Sequence, residues 1–259
     1  MTVKEISWGA AMARPKRILL IGGTEEAVTL NHKLADIGEI SLITSLAGRT
    51  TTPATLKGHV ASGGFGGRQG LVGFLIEHEI SLVIDATHPF ADQMTQAAFE
   101  VCMQLNIDYL RFQRPSWEME FGDRWIEAKD VKDAASKLSK FERIFLSIGR
   151  QELAAFDGIA DKYFLVRSIE AVDFAPAGSN VDFIQDRGPF TLDDEVRLMS
   201  FHKIDLLVSK NSGGDATYAK IAAARHLKIP VLMIHRPQLP DCRSYGTVEA
   251  VLSVIGKVV

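Results

Sequence analysis

The sequence predicts an α/β chain whose parallel sheets are covered by helices on both faces. Short apolar runs alternate with segments of helical period, and loops rich in glycine, proline or charge follow the runs. At 259 residues the chain suits one large domain or two small ones.

Residues 17–21 (RILLI) read as a buried parallel strand, closed by the turn Gly22-Gly23-Thr24. Residues 25–37 carry Ala27, Leu30, Leu34 and Ile37 at helical spacing, with Gly38 as the stop. Strands follow at 40–46 and 59–61, the second running into Gly63-Gly64-Phe65-Gly66-Gly67. A helix over 71–78 leads to a strand over 81–85, which ends in Asp85-Ala86-Thr87-His88-Pro89. A helix over 91–105 and a strand over 107–112 complete the first half. After Pro115 the period is lost through 113–128, and the domain connection is expected there. Strands are predicted at 143–148, 163–169, 205–208 and 231–234, with helices over 216–227 and 247–256. The domains read as 1–15, a flexible extension outside the fold; 16–115, a nucleotide-binding domain; and 116–259, a second α/β domain for the substrate.

Apolar residues make up 46% of the chain and charged residues 24%, enough for a sizeable core. The formal net charge of −3 argues against a nucleic-acid or anionic-membrane binder. It leaves room for a local basic pocket. No apolar run reaches the roughly 18 residues that span a bilayer. No signal-peptide core opens the chain, and Cys102 and Cys242 lack metal-ligand spacing. The expectation is a cytoplasmic protein with free thiols and no metal.

In an open parallel sheet, ligands gather at the carboxyl ends of the strands. The special loops of the first half all fall there. Gly22 can stand for the first glycine of a dinucleotide turn; Thr24 then takes the second position and Ala27, which permits close helix packing, the third. Glu25 and Glu26 suit a helix N-terminus but would repel a pyrophosphate. The second strand ends in Ser45, Gly48, Arg49 and Thr50, with no acid. An arginine in that place reads the 2′-phosphate of NADP, where a carboxylate would favour NAD. Gly64, Phe65 and Gly66, then Asp85, Thr87, His88 and Pro89, extend the candidate cofactor rim. Asp85 reads equally as a helix cap, and His88 as a core histidine.

In the second half, Arg150, Arg167, Arg187 and Lys210 sit at strand ends or in turns, and Lys210 leads into Ser212-Gly213-Gly214. Glycines there let backbone N–H groups approach an anion, and lysine adds a charge. Cations gathered in a chain of net negative charge point to a polyanionic substrate. Ordinary surface charge explains any one of them.

Taken together and in order, these segments resemble the precorrin-6A reductase family (CobK/CbiJ) of cobalamin biosynthesis. The resemblance is carried by 22–27, 45–50, 63–67, Ile84-Asp85-Ala86-Thr87-His88-Pro89-Phe90-Ala91, Arg187-Gly188-Pro189-Phe190 and 209–220. It implies two Rossmann-like subdomains with an active-site cleft between them. It implies hydride transfer from NADPH to precorrin-6A or its cobalt form, giving the dihydro product precorrin-6B. The implied partner is a tetrapyrrole with many carboxylates, and neighbouring pathway enzymes are candidate partners. Lys210 and His88 are the candidate catalytic groups, as proton donors or electrostatic stabilisers. Arg150, Arg167, Arg187, Lys210, Ser212, Gly213 and Gly214 are the expected substrate contacts.

The competing readings are another NADP-dependent reductase or epimerase, or a non-enzymatic NADP-binding sensor. The Tyr-x-x-x-Lys pair of the short-chain type is absent: four residues after Tyr109, Tyr163, Tyr218 and Tyr245 stand Gln113, Arg167, Ala222 and Glu249.

Overall fold

The computed structural model describes residues 16–46, 55–169 and 171–256. The extension at 1–15 and the expected cofactor residues Gly48, Arg49 and Thr50 lie outside the described residues. The chain divides into two units: Met1–Arg114 with Gln238–Val259, and Pro115–Pro237.

The first unit is built on β1 (Lys16–Ile21), α1 (Glu25–Ala35), β2 (Ile40–Leu46), β3 (His59–Ser62) and α2 (Gly67–Glu77). It continues through β4 (Leu82–Asp85), α3 (Asp92–Leu105) and β5 (Asp108–Phe112). Its six-stranded sheet is parallel throughout, in the order β3-β2-β1-β4-β5-β12. This is the doubly wound arrangement expected of the apolar runs, which are buried on both faces. The chain steps outward from β1 to β3, returns to β4, and so leaves a crevice between the ends of β1 and β4.

The sixth strand corrects the expected domain boundary. The sequence predicts 116–259 as one second domain, yet β12 (Ser244–Tyr245) pairs with Arg111 and Phe112 of β5. The last helix, labelled α7 here after the helices of the second unit (Val248–Gly256), buries Val251 and Ile255 in the first-unit core beside Ala27, Leu30 and Leu34. An apolar helix face goes to whichever core has an open stripe, whatever the order along the chain.

The second unit contains β6 (Trp125–Ala128), α4 (Val131–Ser136), β7 (Arg143–Ser147) and a 3-10 turn, Arg150–Phe156. There follow β8 (Tyr163–Ser168), β9 (Asn180–Gln185), α5 (Leu192–Phe201), β10 (Leu206–Lys210), α6 (Ala219–Leu227) and β11 (Val231–Ile234). This sheet is also parallel, in the order β6-β11-β10-β7-β8-β9, with its crevice between the ends of β7 and β10.

The sequence reads no element at β6, α4, β9, α5 or β12. β6 and β9 are edge strands, and β9 is mostly exposed, with only Val181 and Ile184 half-buried, instead of forming a buried apolar run. Helix α2 begins four residues before the expected 71, inside the glycine cluster, with Gly66 capping it in the left-handed region. Among the described residues, no helix is long and apolar enough to cross a membrane.

Candidate functional site

In the first unit the turn after β1 lies at the crevice. Thr24 is the N-cap of α1: its hydroxyl accepts the Ala27 N–H (3.1 Å) and donates to the Ala86 carbonyl (3.1 Å), tying the β1 turn to the β4 turn. The hydroxyl is therefore committed to the fold, which leaves the turn only its backbone to offer. A Cβ at Gly22 would lie 3.2 Å from Leu46 and 3.6 Å from Ala27, the close helix-to-sheet approach a dinucleotide turn requires. A Cβ at Gly23 would meet nothing within 4 Å.

The repulsion expected from the acids at the start of α1 is partly cancelled. Both carboxylate oxygens of Glu26 accept from Nη1 of Arg114 at 2.9 Å. Arg114 stands in the stretch where sequence periodicity fails, so no pattern marked it.

Beside this turn, Ser45 is buried at the end of β2. The fully buried Asn31 of α1 donates to Thr44 (2.9 Å) and to the Lys57 carbonyl (3.0 Å), and accepts from the Lys57 N–H (2.8 Å). It thus fixes residues on either side of the segment that carries Arg49. Beyond β3, Gly63, Gly64, Gly66 and Gly67 all have positive φ, and a Cβ at any of them would meet nothing within 4 Å. The loop is open backbone that a ligand can approach. Phe65 is half-buried and packs edge-on against Phe74.

Asp85 needs a correction. Its side chain is fully buried and does not reach the rim. Oδ1 accepts the Thr87 N–H (2.9 Å); Oδ2 accepts from Thr95 (2.8 Å), Tyr109 (2.7 Å) and Nη1 of Arg111 (2.6 Å). Burial, and then the carboxylate beside it, push the Tyr109 hydroxyl well above its ordinary range, so it stays a donor. Asp85 is the knot that holds the β4 turn, and Thr87 is buried with it. His88 emerges half-buried from that turn. Its Nδ1 accepts the Phe90 N–H (3.3 Å), so a neutral ring carries its proton on Nε2. Pro89 is buried next to it. Nearby, Cys102 is buried in α3; burial, then Asp85 and Asp108, push its thiol up to about 12, which leaves it inert.

In the second unit the Lys210–Gly214 turn stands at the crevice between β7 and β10. Asn211 accepts the Trp117 N–H (2.8 Å) and donates to its carbonyl (3.0 Å); the Trp117 indole N–H donates to Gly214 (2.9 Å). Arg236 donates to the carbonyls of Asn211 (2.8 Å), Ser212 (3.0 Å) and Pro115 (3.1 Å). Gly213, at φ 67°, has no room for a side chain: a Cβ would come within 1.9 Å of the Pro115 carbonyl. The turn is held rigidly, and Ser212 is buried in it.

The Lys210 ammonium pairs with Glu152, from the 3-10 turn that follows β7. Across the crevice, then, a lysine and a carboxylate meet, and the sequence offered no pattern by which to find Glu152. Arg150, two residues earlier in the same 3-10 turn, and Arg187 are exposed. Arg167 is not. It is expected among the substrate contacts, but its guanidinium is buried in an ion pair with Glu195 of α5 (2.6 Å), between the rings of Phe145 and Phe190. A strand-end residue points along the edge or into the core according to the parity of the strand, which sequence spacing there did not fix.

The family model for precorrin-6x reductase CbiJ/CobK matches residues 17–256. A precorrin-6A reductase of Rhodococcus erythropolis is 44% identical over 241 residues, covering 92% of this chain and 96% of its own. A cobalt-precorrin-6A reductase of Methanocaldococcus jannaschii is 25% identical over 250 residues, covering 87% of this chain and 93% of its own. The solved structure of CobK precorrin-6A reductase superposes with a TM-score of 0.87 at 37% identity, covering 94% of this chain and 97% of that one.

Proposed function

The chain belongs to the precorrin-6x reductase family, and we propose that it reduces precorrin-6A with NADPH to the dihydro product precorrin-6B. The observation that carries the dinucleotide reading is the β3-β2-β1-β4-β5-β12 order with the Gly22-Gly23 turn at its crevice, and the choice of NADPH over NADH rests on Arg49 after β2. The metal-free substrate is favoured over its cobalt form because the relative named for the former is 44% identical and the one named for the latter 25%.

The residues fit the cofactor. Gly22 and Gly23 would carry the pyrophosphate at the N-terminus of α1, where backbone N–H groups and the helix dipole favour an anion. Gly64 and Gly66 would lie along it, and Arg49 would meet the 2′-phosphate. When bound, NADPH supplies the hydride. The chain holds the substrate's carboxylates through Arg150, Arg187, Lys210 and the Ser212-Gly213-Gly214 backbone. Fixing both reactants is worth several kcal/mol of barrier, on the order of 7–11 in well-oriented cases. A proton must reach the carbon beside the one that takes hydride. His88 Nε2 is one donor; water is another. Lys210 is assigned to binding, since its ion pair with Glu152 fixes the ammonium in place.

The test is anaerobic incubation of the protein with NADPH and precorrin-6A, following loss of NADPH absorbance and the spectrum of the macrocycle. NADH and cobalt-precorrin-6A are run in parallel. Turnover fastest with NADPH and the metal-free substrate supports the proposal. Faster turnover of the cobalt form, or equal use of NADH, would overturn the corresponding half.

A further inference from the structure

The connection from β9 to α5 crosses the carboxyl edge of the second sheet. β9 is an edge strand, separated from β10 by β8 and β7. Yet the Phe190 N–H donates to the Ala216 carbonyl (3.2 Å), in the turn that follows β10. A Cβ at Gly188 would stand 2.9 Å from that same carbonyl, so the crossing lies tight against the turn. Arg187 is exposed on the crossing.

What grips this crossing is the buried arginine. The Arg167 guanidinium carbon lies 4.0 Å from the centre of the Phe190 ring and 4.9 Å from that of Phe145 on β7. Its Nη1 stands 2.6 Å from Oε1 of Glu195, in the first turn of α5, the helix into which the crossing runs. The two side chains are 8% and 1% exposed. The pair is poorly satisfied: Arg167 Nε and Glu195 Oε2 have no hydrogen-bond partner among the described residues. A buried pair of this kind adds little stability over apolar side chains of the same volume. A planar guanidinium does offer what an aliphatic chain lacks, a flat cationic face against an aromatic ring.

We propose that Arg167 and Glu195 are positioning residues that clamp Phe190, and so set Arg187 beside the Ala216 end of the turn that follows β10, to meet a substrate carboxylate. The proposal rests on the reading that Arg187 contacts the substrate. It gives the buried arginine a role exercised through Phe190 rather than by touching the macrocycle.

The experiment measures kcat and KM for precorrin-6A, NADPH affinity and thermal midpoint. The variants are Arg187→Ala, Phe190→Ala, their combination, Phe190→Tyr, and the apolar pair Arg167→Met with Glu195→Leu. Arg187→Ala is expected to raise KM roughly tenfold, the loss of one charge-assisted contact. Phe190→Ala and the apolar pair should raise it by a similar factor, with kcat and NADPH affinity within about twofold of wild type. The Arg187→Ala/Phe190→Ala combination should cost no more than Arg187→Ala alone, since the ring acts through the arginine. Phe190→Tyr keeps the ring face and should restore the wild-type KM. If Arg187→Ala raises KM but folded Phe190→Ala or the folded apolar pair does not, the clamp is refuted while the substrate reading stands. Additive losses in the combination refute it equally. A wild-type KM for Arg187→Ala removes the substrate reading and the clamp together.

Discussion

Lys210 and Arg49 are the two single residues on which the reaction can be tested most directly. Lys210 stands at the crevice of the second sheet in an ion pair with Glu152. A fixed cation that binds a substrate carboxylate contributes equally to the ground and transition states. Lys210→Met is therefore expected to raise KM and leave kcat nearly unchanged. A fall in kcat of about 10²–10⁴-fold at saturating NADPH would instead make Lys210 the proton donor. Wild-type values for both parameters would leave it a structural residue. Arg49 follows β2 and, as the expected reader of the 2′-phosphate, should discriminate between the two nicotinamide cofactors. Arg49→Ala is expected to weaken NADPH about tenfold or more and to spare NADH, since a charge-assisted contact is worth roughly 1.5–3 kcal/mol. Titration of both cofactors checks this, and equal losses would remove Arg49 from that role.

The informative element is the glycine loop between β3 and α2. Gly66→Val would be a poor test, because φ is 72° and a β-branched residue is strained there whatever the loop binds. Gly64→Asn is better. Asparagine tolerates the left-handed region, and at φ 74° a Cβ at this position meets nothing within 4 Å. The expected result is a thermal midpoint close to wild type and a loss of NADPH affinity of roughly tenfold, as for a lost charge-assisted bond. Wild-type affinity would make the loop a connector only.

Over the whole molecule, the chain leaves its first unit at Arg114 and returns to it at Gln238. The returning segment supplies β12 and the buried Val251 and Ile255. Ile255→Ala is expected to cost about 2–5 kcal/mol, read as a lowered midpoint in denaturant. Ending the chain after Pro237 exposes the α1 face that α7 covers, and should abolish NADPH binding even though no expected cofactor residue is removed. Retained NADPH affinity in the shortened chain would show that the first unit holds its crevice without β12 and α7.

The α/β class, the buried strands and the family are all legible in the sequence. Each of these is written in local pattern: apolar runs of strand length, helical spacing in 25–37, and glycines at fixed offsets after a strand. It also located the two turns that stand at the crevices, Gly22-Gly23-Thr24 and Lys210–Gly214, because turns need particular residues. It did not show where charged side chains point. Asp85 and Arg167 read as ligand contacts, yet both are turned inward to partners 26 and 28 residues away, Arg111 and Glu195. Arg114 and Glu152, which answer the charges of Glu26 and Lys210, bear no motif at all. Nor did it show that the last helix belongs to the first core. Pairings of this sort are made across long stretches of chain, by charge and by the apolar face left uncovered. Only the tertiary structure brings the partners together.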